Sequence, residues 1–265
     1  MTTRAWITGA GAATVVLVVA LIGGWYFIIR GDVPAAVNLA EAVSAATSDG
    51  TAEAGGDSTP EPPPSTTSDA TSTVAAVPTS PVTAEPEVGL AGDWVLVAGS
   101  QSFVGYRVRE ELAQIGATTA VGRSADISAL LSFDGTSITA VEVEANLAAL
   151  RSDDTRRDRT LGRQALQTNT FPTATFSLTA PILLETEPVE GVPIAVMAIG
   201  DLTLHGVTRQ VSIELEGQLV ENQVVVVGST EILFSDYDID APSAQIVLSV
   251  ADNGIMEFQL SLERA

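Results

Sequence analysis

The sequence predicts an all-β domain, an eight-stranded antiparallel up-and-down barrel with one short helical insertion, preceded by a transmembrane helix and a disordered linker. Three observations predict it. Apolar and polar residues alternate with period two in one segment after another beyond residue 92, the pattern of strands with one buried face. Turn-forming pairs, among them Asp134-Gly135, His205-Gly206 and Glu221-Asn222, fall between those segments and join them as hairpins. The composition also changes sharply twice along the chain, dividing it into residues 1–30, 31–91 and 92–265.

The first division is read as a membrane anchor. Ala5 to Ile29 is 25 residues without a formal charge, longer than the roughly 20 residues that cross a bilayer core. Trp6 stands at one end and Trp25 and Tyr26 near the other, where aromatic rings favour the interface. No Lys or Arg occurs from Gly31 to Tyr106, which favours a cytoplasmic N-terminus and an extracytoplasmic remainder. A cleaved signal peptide is the competing reading, but the run exceeds the usual h-region and no small-residue cleavage site follows closely. The second division holds eight of the 13 prolines and no aromatic residue. Such a composition buries too little apolar area to offset ordering entropy, so an extended spacer is expected. Val37 to Ala46 has helical spacing, but Val37, Leu39 and Val43 are too few for a core.

The third division carries the strands. Val141, Val143, Ala145 and Leu147 share one face opposite Glu142, Glu144 and Asn146. Val211, Ile213, Leu215 and Leu219 face away from Glu214, Glu216 and Gln218, and Met256, Phe258, Leu260 and Leu262 alternate with polar residues. Further strand-like runs are Phe103 to Leu112, Gly122 to Phe133, Ala174 to Leu184, Pro193 to Leu204 and Gln223 to Phe234. Closure of these hairpins into a barrel removes exposed edges, and a two-sheet sandwich is the alternative. Asp153 to Leu166 departs from the pattern: its arginines recur at near-helical spacing, aspartates supply the N-terminal cap, and Asp153 and Arg157 form an i,i+4 pair. A helical insertion over one barrel opening is expected there.

Composition removes several functions. There is no cysteine and a single histidine, His205, so thiol chemistry, disulfides and a His-rich metal cluster are excluded. All 12 basic residues are arginine against 33 acidic ones, for a formal charge of −21, which argues against nucleic acid as a partner and against a loose electrostatic attraction of the whole chain to anionic lipid surfaces. No Gly-x-Ser-x-Gly elbow is present.

Five blocks of the third division carry a family resemblance: Gly-Asp-Trp at 92–94, Arg-Ser-Asp-Asp-Thr-Arg-Arg-Asp at 151–158, Phe-Pro-Thr-Ala-Thr-Phe at 171–176, Gly-Asp-Leu-Thr-Leu-His-Gly-Val-Thr at 200–208 and Ser-Asp-Tyr at 235–237. In combination they resemble the YceI-like family of lipid- and polyisoprenoid-binding proteins. The resemblance implies a lipocalin-like barrel around an apolar tunnel that holds a long isoprenoid or other amphiphilic lipid, with no catalytic residues and no cofactor beyond bound lipid. The sequence departs from the family at Arg107-Val108-Arg109-Glu110-Glu111 and at Val250-Ala251-Asp252-Asn253-Gly254, where many relatives carry histidine. The expected ligand-binding residues are His205, Arg151, Arg156, Arg157 and Arg159 at the head group, and Phe176, Leu202, Leu204 and Phe258 along the chain. The implied protein is a single-pass, membrane-anchored, extracytoplasmic lipid binder. The alternative is a structural or partner-binding surface module with a packed barrel and no ligand.

Overall fold

A computed structural model describes residues 33–49, 89–113, 116–242 and 247–265. In chain order its elements are α1 (Leu39–Asp49), β1 (Gly92–Leu96), β2 (Phe103–Leu112), β3 (Gly116–Ser124), β4 (Ile127–Phe133), β5 (Ser137–Asn146), β6 (Arg151–Ser152), α2 (Thr155–Thr160), β7 (Thr173–Leu178), β8 (Ile182–Leu183), β9 (Ile194–Leu204), β10 (Val207–Val220), β11 (Gln223–Leu233), β12 (Val247–Val250) and β13 (Asn253–Arg264). The apolar run at residues 5–29 lies outside the described residues. Among the described residues no helix is long and apolar enough to cross a membrane.

The strands close into a barrel through β1-β4-β5-β7-β9-β10-β11-β13, where β13 returns to β1 with Trp94 opposite Arg264 and Leu96 opposite Leu262. All these strand pairings are antiparallel. The eight-stranded circuit is thus the expected barrel, not a sandwich. The run from Phe103 to Leu112 is β2, and β1 precedes it as a further strand, so that β13 pairs with β2 along Ile255–Gln259 and with β1 further on. Other expected runs are broken strands. Ala125 and Asp126 separate β3 from β4, and the run from Ala174 to Leu184 breaks at Pro181, which has no N–H for the ladder. The hairpin turns hold as read. His205-Gly206 (φ 53° and 77°) and Glu221-Asn222 (φ 50° and 64°) take positive φ at both central residues, the twist that joins antiparallel strands in two residues.

The helical insertion begins where its cap residues place it: the Asp154 side chain accepts a hydrogen bond from the Arg156 N–H at 2.7 Å. After Thr160 the helix widens into one π-turn, in which Leu166 N–H donates to the Leu161 carbonyl at 2.9 Å. This turn brings Leu161, Ala165 and Leu166 against the barrel core.

The segment around α1 differs from the spacer expected for it. Asn38 caps the helix through Oδ1 and the Ala40 N–H at 2.9 Å. Leu39 and Ala42 pack on the outer face of β11 against Val225 and Val227. The physical reason lies in β11 itself. Val224-Val225-Val226-Val227 is apolar on both faces, so the strand needs a cover outside as well as a core inside. The three or four apolar residues of α1 suffice because the barrel supplies the rest of the cluster.

Candidate ligand-binding site

Inside the closed barrel the side chains leave space. Three cavities lie in line along the axis. The first, about 150 Å³, is bounded by Val104, Tyr106 and Val108 of β2, by Leu202 and Leu204 of β9, by Met256 of β13 and by Leu161, Ala165 and Leu166 beneath α2. The second, about 50 Å³, shares Val104, Ala145, Ala174, Leu202 and Met256 with the first and adds Phe176, Ile213 and Phe258. The third, about 140 Å³, shares Val143, Phe258 and Leu260 with the second and reaches Trp94, Leu131, Leu219 and Val224 at the opposite end. The lumen is therefore a row of apolar cavities that share their walls, with its mouth end under α2 and a waist at Phe176 and Phe258.

What leaves space beside the large rings is a set of glycines in the wall. The Phe176 ring lies on Gly200, where a Cβ would stand 2.3 Å from its Cζ. The Phe258 ring lies on Gly228 at 2.6 Å by the same measure, and the Tyr106 ring on Gly122 at 2.4 Å. Each large ring is seated flat against a neighbouring strand because that strand lacks a side chain there. A core of this size would otherwise be filled by its aromatics.

One end of the path is polar. Glu110 and Arg157 line the first cavity, with Arg157 Nη2 donating to Glu110 Oε1 at 2.8 Å and Nη1 to Asp153. Burial works against the charge on Arg157, but the hydrogen bond and charge of Glu110, backed by Asp153, raise its proton affinity above the ordinary arginine value. The Tyr106 hydroxyl is buried in the same region with no hydrogen-bond partner in the protein. Burial pushes its pKa up from 10.0 to about 12. The folded protein thus keeps a proton that the unfolded chain gives up, so stability is full below pH 10 and falls between about pH 10 and pH 12. Tyr106→Phe is expected to remove that alkaline loss of about 2–3 kcal/mol. Urea unfolding at pH 9 and pH 11.5 checks it, and equal alkaline losses in both proteins would refute the assignment.

The expected chain-lining residues Phe176, Leu202, Leu204 and Phe258 all face these cavities. The expected head-group residues are dispersed. Arg157 reaches the first cavity. Arg151 and Arg159 instead line a groove on the outer side of α2, and Arg156 is exposed. His205 is buried, with Nδ1 3.0 Å from the Tyr237 carbonyl and its ring edge-on to Phe171 at 4.5 Å; it ties the β9–β10 turn to neighbouring segments and lines none of the three cavities. Tyr106 and Glu110 were absent from the sequence expectation. Their signal was present in strand parity: Val104, Tyr106, Val108 and Glu110 share the face opposite Arg107 and Arg109.

A closed up-and-down barrel with an apolar lumen and one polar end defines a class of proteins built to enclose a ligand. The sequence matches the YceI-like domain over residues 94–262, and the chain belongs to that family. Among solved structures it is similar to a polyisoprenoid-binding domain from Saccharophagus degradans implicated in plant cell wall breakdown, at 16% identity and a TM-score of 0.51, covering 66% of this chain and 99% of that one. It is also similar to BcnA of Burkholderia cenocepacia (19% identity, TM-score 0.48, 60% of this chain and 95% of that one). A third is the YCEI protein of Campylobacter jejuni (19% identity, TM-score 0.44, 54% and 85%). Likeness at these identities speaks for the fold alone. No curated protein matches the chain.

Proposed function

We propose that the protein is a membrane-anchored, extracytoplasmic carrier that holds a long apolar chain, an isoprenoid or other long-chain lipid, inside its barrel. The single observation that carries this reading is the row of apolar cavities along the closed barrel. The alternative module with a packed barrel has no use for that space. Each methylene moved from water into the lumen contributes about 0.8 kcal/mol, so the chain supplies most of the affinity. The binding name of the Saccharophagus domain agrees with this reading. The anchor is the uncharged run from Ala5 to Ile29.

The polar end selects the head group. Tyr106 has an unused hydroxyl donor and Arg157 a guanidinium, which together suit a phosphate or carboxylate oxygen. We read the barrel as a binder and not an enzyme, because no nucleophile with an adjacent base lines the lumen among the described residues. Lipid extraction and mass spectrometry of the purified full-length protein test the whole reading. A stoichiometric long-chain lipid is expected. Protein that carries none, and takes up none from a panel of isoprenoid phosphates and fatty acids, would overturn it. Within the site, Arg157→Gln is expected to weaken an acid-headed ligand about tenfold or more, the worth of a charged hydrogen bond. Arg156→Gln, on the exposed side of the same helix, should leave the affinity unchanged. A titration with both variants reads the difference, and equal effects would remove Arg157 from the site.

A further inference from the structure

The barrel has a defined route of arrival for its N-terminal chain. Val33 and Pro34 lie in a surface hollow with Arg151, Ser152 and Asp153, the residues that lead into α2 over the tunnel mouth. The carbonyls of Pro34 and Ala35 accept hydrogen bonds from Arg107, and Ala35 accepts another from Arg123 at 3.0 Å. Both guanidinium groups are locked in turn onto Glu257, at 2.5 and 3.0 Å, and Glu257 is only 1% exposed. From this clamp the chain crosses the outer wall to α1. There Leu39 and Ala42 cover Val225 and Val227, in the half of β11 that leads away from the mouth. Residues 33–49 are therefore a strap, which joins the barrel at its mouth side and runs toward the far end.

The clamp begins at Pro34, five residues beyond Ile29, the last residue of the uncharged run. Five residues reach at most about 18 Å. A free spacer over 31–91 would instead give a root-mean-square reach of roughly 40 Å. The surface on the strap's side of the mouth has the charge to match. Arg151 to Arg163 carries five arginines against three aspartates in a protein of net charge −21. Most of those arginines face outward, where anionic phosphates would meet them. The lip beyond β11 carries Asp236, Asp238 and Asp240 with the single Arg209 against the Asp236 carbonyl at 3.0 Å, so the arginine cluster of the rim lies on the side the strap reaches.

We propose that the barrel sits mouth-down on the membrane, its α2 side held against anionic lipid phosphates by the strap, so that the lumen opens toward the bilayer. This rests on the anchor proposed above. The chain has no cysteine, so single labels are clean. Asn169→Cys marks the mouth and Glu263→Cys the far end; both positions are exposed. The full-length protein is placed in phosphatidylcholine vesicles with a minor share of phosphatidylglycerol and of head-group nitroxide lipid. Quenching is expected at the Asn169 label and not at the Glu263 label, which strand length puts about 30 Å farther out. Ala42→Arg, which unseats α1 from outside the barrel, should abolish the contrast while circular dichroism stays unchanged. If the protein floats with the vesicles but neither label is quenched, or the far one is quenched more, the orientation is wrong and the anchor stands. If it does not float, the anchor fails and the orientation with it.

Discussion

Replacing Gly228 with valine is expected to shorten the tunnel. A Cβ at this position would stand 2.6 Å from Phe258 Cζ and 2.9 Å from Leu215 Cδ2. Both obstacles are side chains, so they move, and the Phe258 ring has only the lumen to move into. Phe258 bounds both the waist and the far cavity, and its displacement into the lumen fills the space where they meet. A bound chain that needs the far cavity then loses about 0.8 kcal/mol for each excluded methylene. Four methylenes amount to about 3 kcal/mol, or about a hundredfold in Kd. Lipids short enough to end above Phe258 should bind as before. A series of Kd values against chain length gives the answer: a uniform loss, or none at the longest chain, would show that the ring does not gate the path. The overpacking itself costs about 1–3 kcal/mol of stability, so circular dichroism must accompany the titration.

Glu257→Ala should produce the largest change in stability outside the core. The carboxylate is the shared partner of Arg107 and Arg123 and is almost wholly buried on the outer wall. Its removal leaves two guanidinium groups side by side without a counter-charge, a loss of about 3 kcal/mol. For a domain of this size that lowers Tm by about 6–12 °C. Glu257→Gln, which keeps hydrogen-bond acceptance, should lose less. Amide exchange along Leu39 to Ala46 should accelerate in the alanine variant, because the same guanidinium groups hold the Pro34 and Ala35 carbonyls. An unchanged Tm would mean that the two arginines find solvent and that the clamp carries no energy.

Local signals made the barrel readable. The inward faces of β5, β10 and β13 follow from alternation alone, since a one-residue slip would turn every apolar side chain outward. Asp154 and the Asp153–Arg157 pair placed the insertion because capping and i,i+4 contacts are made within a few residues. What sequence obscured depends on distant partners. Leu39 and Ala42 look too few for a core until Val225 and Val227, more than 180 residues later, complete it. His205 stands out as the lone histidine, yet its Nδ1 meets the Tyr237 carbonyl and its ring packs on Phe171, whereas Tyr106 and Glu110 line the first cavity on either side of the outward Arg107 and Arg109. The break at Ala125–Asp126 lies inside a run of unbroken strand character, because curvature is a property of the closed barrel and not of any one strand.

The seating of rings on glycines separates two properties that most cores bind together. In a packed interior, any change of side-chain volume alters stability and shape at once. Here the strands carry the architecture, while the pairs Tyr106–Gly122, Phe176–Gly200 and Phe258–Gly228 set how much of the lumen is open at three heights. Exchanges at these pairs would work like marks on a ruler, resetting the length of the open lumen at some cost in stability but without redrawing the ladder around it. A lineage can therefore diverge in what it carries faster than in how it folds, and sequences with little identity can keep one barrel while holding guests of different length.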